Sequence, residues 1–113
     1  MTINQDTIRQ SVAVFGEKAG ILVSLTLKDA DSFMTAMKSA LDEGDAQAAG
    51  LAAHSLKSIM KQVGAMEVGD LAEDIQNAGK AENDLEKCKI LYARISPLYD
   101  ETKMFLENVA EAA

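Results

Sequence analysis

The chain has 113 residues, of which 48% are hydrophobic and only 4% aromatic, with a formal net charge of −7. That length suits a single domain with one core, residues 1–113, and the apolar content excludes a disordered chain. An acidic surface is repelled by a phosphodiester backbone at long range, so nucleic acid is not an expected partner.

Leu, Ala and Met dominate the apolar set, one proline is present, and β-branched runs are absent, which makes the expected class all-α. A first helix is predicted over about residues 4–15, with Ile8, Val12 and Phe15 at helical spacing and Gly16 as its stop. It is short, so its stability has to come from packing on the rest of the chain. A second helix is predicted over about residues 17–43, with an apolar face of Leu22, Leu25, Ala30, Phe33, Met34, Met37 and Leu41. Asp29, Asp31 and Ser32 mark a candidate bend or restart inside it. Gly44 is a natural C-terminal stop and Asp45 a ready N-cap for a third helix, Ala46 to about Val63, which ends near Gly64.

A fourth helix begins near Glu67, whose carboxylate suits a helix N-terminus, and Val68, Leu71, Ala72, Ile75 and Ala78 form its stripe up to a closing Gly79. After the turn KAEND a last helical stretch runs over about residues 84–110, with Leu85, Cys88, Leu91, Ile95, Leu98, Phe105 and Val109 at helical spacing. Pro97 removes a backbone donor there, and Ser96 before it suits an N-cap, which leaves a kinked helix and two abutting helices as alternatives. Amphipathic segments joined by short turns read as an up-down antiparallel four-helix bundle over about 17–112, with an additional N-terminal helix packed across it.

The only histidine, His54, lies in the third helix within AHSLKSIMKQVGA, residues 53–65. Successive helical residues advance by about 100°, so Gln47, Gly50, Lys57, Ser58, Lys61 and Ala65 fall within roughly 60° of the imidazole. Ala49, Ala52, Leu56, Ile59, Met60 and Val63 fall on the far side. The helix therefore has a clean apolar stripe, and its histidine is on the opposite face. On this reading the lysines give the ring a positive field, while Gly50 and Ser58 leave room beside it for a second protein.

Imidazole has an ordinary pKa of about 6.5, so near pH 7 much of it is neutral and nucleophilic. Such a ring, exposed on a helix, can attack the phosphorus of an acyl phosphate and hold the group as a phosphoramidate. Lys57 and Lys61 are spaced to offset the anionic product, and the Ser58 hydroxyl is a candidate donor to a phosphoryl oxygen. Other chemistries lack their residues. There is no P-loop, no Gly-rich nucleotide loop after a strand, no Ser-His-Asp set and no paired acidic metal motif. Asp42 with Glu43, and Glu73 with Asp74, are sequence neighbours that point in different directions on a helix, and they read as solvated faces.

One cysteine, Cys88, allows no internal disulfide, which fits a reducing compartment and ordinary helix packing. With one His and one Cys a dedicated zinc site is out of reach. No stretch approaches the roughly 20 apolar residues of a membrane span. The opening MTINQDTIRQ also lacks the basic-then-apolar order of a signal peptide. No membrane insertion is expected, and a cytoplasmic location is.

The segment AHSLKSIMKQVGA resembles the signature of histidine-containing phosphotransfer (HPt) domains, in which His-x-Leu-Lys-Gly is followed, ten residues after the histidine, by Gly-Ala. His54, Leu56, Lys57, Gly64 and Ala65 match in place, Gly44-Asp45 resembles the family's entry into the helix, and Glu67 to Ala78 resembles its following helix. The likeness covers roughly residues 20 to 80, and the ends in architecture only. It implies a phosphorelay intermediate in two-component signalling without autonomous turnover. His54 would accept a phosphoryl group from the aspartyl phosphate of one receiver domain and pass it to the aspartate of another, with Lys57 stabilising the phosphorylated state. The implied partners are receiver domains of response regulators and hybrid sensor kinases, docked on an apolar patch beside the histidine to which the two preceding helices contribute. The chain itself is expected to be a monomer with no intrinsic cofactor, the Mg²⁺ belonging to the receiver. Ser58 stands where the family prefers glycine, and Lys61 where small residues are common.

Two other classes share parts of this pattern. A sensor-kinase phosphoacceptor helix has His-Glu-Leu-Lys/Arg-Thr-Pro, but here Ser55 and Ile59 replace its acid and its proline. A non-catalytic helical adaptor bundle would leave the histidine incidental, and transfer of label from a phosphorylated receiver separates it from a carrier.

Overall fold

Three helices begin where a side chain accepts from backbone N–H groups that the helix cannot satisfy itself, and two end at a glycine. The computed structural model describes residues 2–112, and these contain helices and turns but no strand. Helix α1 spans Gln5–Ala13, followed by a 3-10 turn at Gly16–Lys18; α2 spans Ala19–Asp42, α3 Ala46–Gln62 and α4 Met66–Gln76. A π turn, Asn77–Ala81, extends α4, and α5 spans Leu85–Ala112.

Asn4, Asp45 and Asp84 accept main-chain N–H bonds from Thr7, Ala48 and Lys87 at the starts of α1, α3 and α5. Gly44 (φ +77°) and Gly64 (φ +79°) end α2 and α3 in the left-handed region. The following N–H groups reach back from Asp45 to Ala40 O at 2.8 Å and from Ala65 to Met60 O at 2.9 Å. Gly64 is constrained twice, because a Cβ there would also meet Thr7 O of α1 at 2.5 Å. So α1 lies across the α3–α4 turn, where the Asn4 N–H donates to Glu67 Oε1 at 3.3 Å.

Helices α2 to α5 form an antiparallel four-helix bundle, with α1 packed on α5 and α2 as the additional N-terminal helix. The 28-residue α5 sets the length: at about 1.5 Å per residue it matches the 42 Å long axis. It runs through Pro97 as one helix, which removes the two-helix alternative. Pro97 and Ala93, whose carbonyl loses its donor, are both exposed, so water can serve that carbonyl. Likewise α2 continues unbroken past Asp29 and Asp31. No helix among the described residues is long and apolar enough to cross a membrane.

Three details differ from the sequence reading. In α2 the core stripe is Ala19, Val23, Leu27, Ala30, Met34, Met37 and Leu41, while Leu25 is 55% exposed. The first half of α2 holds more apolar residues than one stripe can bury, and contacts with its neighbours, rather than composition, select the stripe. In α5, Tyr99, Thr102 and Leu106 are buried, whereas Leu85, Phe105 and Val109 are only partly so. And Gly79 does not close α4, which continues as the π turn.

A polar clamp ties α2 to α5. The Tyr99 hydroxyl, on a side chain otherwise buried, donates to Asp31 Oδ1 at 2.6 Å, and Lys103 Nζ donates to Asp31 Oδ2 at 2.8 Å. Burial alone would raise the Asp31 carboxyl, but the hydrogen bonds from Lys103 and Tyr99 and the lysine's charge outweigh it and hold it below its ordinary 3.8. Tyr99→Phe is expected to lower stability by about 1–2 kcal/mol in urea unfolding. Because Asp31 is depressed in the folded state, its contribution is present above pH 3.8 and disappears as pH falls through the lowered value. The acid limb of the wild-type stability profile should therefore be steeper than that of Asp31→Asn, and superimposable limbs would contradict this assignment.

Candidate functional site

Helix α3 is flanked by α2 on one side and α4 on the other. Its core residues Ala49, Ala53, Leu56 and Met60 are each 0% exposed, and His54 is exposed on the opposite face. The buried stripe is rotated toward α4 relative to the sequence reading: Ala53 and Gly50 are buried, while Ala52 and Ile59 are only partly so. The cause is the close approach of α4, which covers a flank that a lone helical wheel leaves open.

Glycines set that approach. A Cβ on Gly79 would collide with Ala46 O and lie 2.9 Å from Gly50 N. A Cβ on Gly50 would lie 2.9 Å from Lys80 Cγ and 3.0 Å from Lys80 N. Farther along, a Cβ on Gly69 would lie 2.8 Å from Lys61 Cγ. The pairs share one antiparallel register, in which each step back along α3 matches one step forward along α4. Gly50 faces Lys80, Lys57 faces Glu73 and Lys61 faces Gly69. The same register puts His54 level with Gln76.

The expected residues are only partly gathered in the expected way. Gly50 is buried under Lys80 and Gln76, so it serves helix packing and gives no partner access to the ring. Ala65 lies past the end of α3 and is 0% exposed, so it does not share the histidine's face. Lys57 and Lys61 do lie on the α4 side of His54, but their charges are already engaged. Lys57 Nζ is 3.9 Å and Lys61 Nζ 3.7 Å from Glu73 Oε2, and Lys61 Nζ is 3.4 Å from Asp70 Oδ1. Glu73 is thus no solvated spectator, and the field around the ring is more balanced than two lysines alone imply. Ser58 is exposed, and its hydroxyl donates to the main-chain oxygen of His54 at 3.4 Å.

Sequence reasoning missed Gly69, Asp70, Gln76 and Lys80 on the α4 side and misread Glu73 as a solvated acid. Gln76 Oε1 is buried with no hydrogen-bond partner, and Lys80 makes no ion pair among the described residues. Away from α4, His54 is bordered by Gln47, Leu51 and Ser58, and Leu51 is 58% exposed. Among the described residues no three His, Cys, Asp or Glu side chains converge as a bound metal ion requires. Cys88 is buried, and burial pushes its thiol up, away from reactivity.

The family description "Hpt domain" matches residues 21–112, so it extends through α5 and well past the motif around His54. The chain belongs to the Hpt domain family: it is a histidine phosphotransfer intermediate of phosphorelay signalling, a phosphocarrier rather than an enzyme. Its fold is similar to that of histidine-containing phosphotransfer protein B (HptB) from Pseudomonas aeruginosa PAO1, with a TM-score of 0.86 at 16% identity over 98% of this chain and 96% of that one. No curated protein matches the chain. Family membership sets the kinase phosphoacceptor helix aside.

Gly50→Ala is expected to cost about 1–3 kcal/mol in urea unfolding, because the methyl group meets the backbone of the π turn. An unchanged midpoint would mean that α3 and α4 are not in this contact.

Proposed function

We propose that His54 carries the phosphoryl group, and the observation that supports this most is that the chain's one histidine is solvent-exposed in the middle of α3, opposite its core stripe. A neutral ring nitrogen attacks the phosphorus of a receiver's aspartyl phosphate. The N–P bond forms as the P–O bond to the aspartate breaks, and the carboxylate leaves with that electron pair. The other ring nitrogen keeps its proton, and Gln76, which the helix register pairs with His54 and whose Oε1 lacks a donor, supplies the acceptor we assign to it. Return transfer to a second receiver reverses these bond changes.

Lys57 and Lys61 stabilise the phosphoryl oxygens, and Ser58 keeps the approach to the ring open and offers a hydroxyl. The receiver docks over the side of α3 that carries Gln47, Leu51 and Ser58, since α4 occupies the other, and Leu51 supplies apolar contact. The partners are receiver domains of response regulators and hybrid sensor kinases in the cytoplasm. This chain acts as a monomer with no cofactor of its own, the Mg²⁺ of the exchange belonging to the receiver.

Incubation with a radiolabelled phosphorylated receiver should label the wild type and leave His54→Gln unlabelled. Labelling of His54→Gln, or of neither protein by any receiver, would contradict the assignment and favour an adaptor. Ser58→Trp should retain the wild-type unfolding midpoint yet lose at least about tenfold in transfer rate, the equivalent of about 1.4 kcal/mol in barrier. Full-rate transfer in that variant would place the docking path elsewhere.

A further inference from the structure

The carboxylates of α4 stand in direct competition with any anion that His54 would carry. One oxygen, Glu73 Oε2, is shared by Lys57 and Lys61, and Asp70 takes the remaining side of the Lys61 ammonium. Two cations and two anions cancel locally. The distances of 3.4–3.9 Å are longer than the roughly 2.7–2.9 Å of a charge-assisted hydrogen bond. By contrast, Lys103 and Asp31 meet at 2.8 Å. The pairs beside His54 are therefore less closely bonded than the clamp between α2 and α5. The backbone that carries Glu73 is nonetheless held in place, because the helix position is set by glycine contacts on both sides of it, at Gly69 and Gly79. The seat over Gly69 also directs the stem of Lys61 across α4 toward these acids.

We propose that Glu73, assisted by Asp70, is a positioning residue that competes with the phosphoryl group for Lys57 and Lys61 and so keeps the phosphohistidine labile enough to hand its group on. The inference rests on His54 being the carrier. A relay intermediate must not trap what it receives, and every cation that binds the phosphoryl oxygens deepens the trap. In the resting state the lysines are held by Glu73. When the group arrives, its oxygens take the ammoniums only at the expense of leaving that carboxylate unpaired. Stabilisation of the loaded state is reduced by that amount, and the reduction is lifted when the group departs. The position is chemical as well as geometric: a carboxylate at Glu73 competes through its charge, and an amide of the same shape, which carries none, competes far less.

The test uses phosphoramidate as a small donor, so that no receiver is needed, and follows the loss of phosphohistidine from the full chain. Glu73→Gln should lengthen the lifetime about two- to fivefold, the range expected for half-exposed ion pairs. Asp70→Asn, which frees only Lys61, should lengthen it less. The gain should shrink in about 1 M salt and vanish when Lys57 and Lys61 are both alanine, neither of which a purely structural effect would produce. An unchanged or shorter lifetime in Glu73→Gln, or a longer one that persists without the lysines, would overturn the inference while leaving His54 as the carrier. A wild type that takes no phosphoryl group on His54 would remove both readings.

Discussion

The structure depends on the close approach of α3 and α4. Gly79 and Gly50 allow the two backbones to meet where any side chain would collide, and Gly69 admits the stem of Lys61. This contact fixes a single antiparallel register between the helices. From it follow the pairing of Lys57 and Lys61 with Glu73, the register that pairs Gln76 with His54, and the covering of one flank of α3 by α4. It also explains the π turn. Carrying α4 past Gly79 brings Lys80 over Gly50, and the wide turn keeps the chain helical through the tightest point of contact. The imidazole is left at the edge of this seam, with charged residues on one side and an open surface with Leu51 on the other.

Two kinds of ion pair divide the labour in this bundle. Asp31, Tyr99 and Lys103 form short hydrogen bonds between α2 and α5, and their effect is to hold helices together. The lysines beside His54 reach their acids at longer distances and share Glu73, the arrangement that the proposed competition with a phosphoryl group requires. Partly exposed pairs that lack a short hydrogen bond contribute little to stability. On the proposal made above, their place beside His54 serves control of the bound anion rather than folding.

Local signals were legible in the sequence, and signals that require two helices were not. Asp45, Gly44 and Gly64 announced their caps because capping chemistry operates within a few residues, and His54 could be placed on the solvent face because helical period alone decides it. The choice of Leu27 over Leu25 for the core was hidden, since both fit an apolar helix and only contact with the rest of the bundle separates them. Gly79 looked like a stop because its reason for being glycine, the main chain of α3 at Ala46 and Gly50, is 33 and 29 residues away in sequence. The same blindness made Gly50 look like an access gap and Glu73 like a solvated acid. The likeness to HPt domains supplied the fold and the carrier role, but it did not reveal how the lysines are held.

The most direct measurement of His54 as the carrier is heteronuclear NMR on ¹⁵N-labelled protein treated with phosphoramidate, which reads phosphorus–nitrogen coupling atom by atom. A single phosphorus resonance coupled to an imidazole nitrogen of His54 is the predicted result. Phosphorus bonded to a lysine nitrogen or to oxygen, with the His54 ring unmodified, would contradict it.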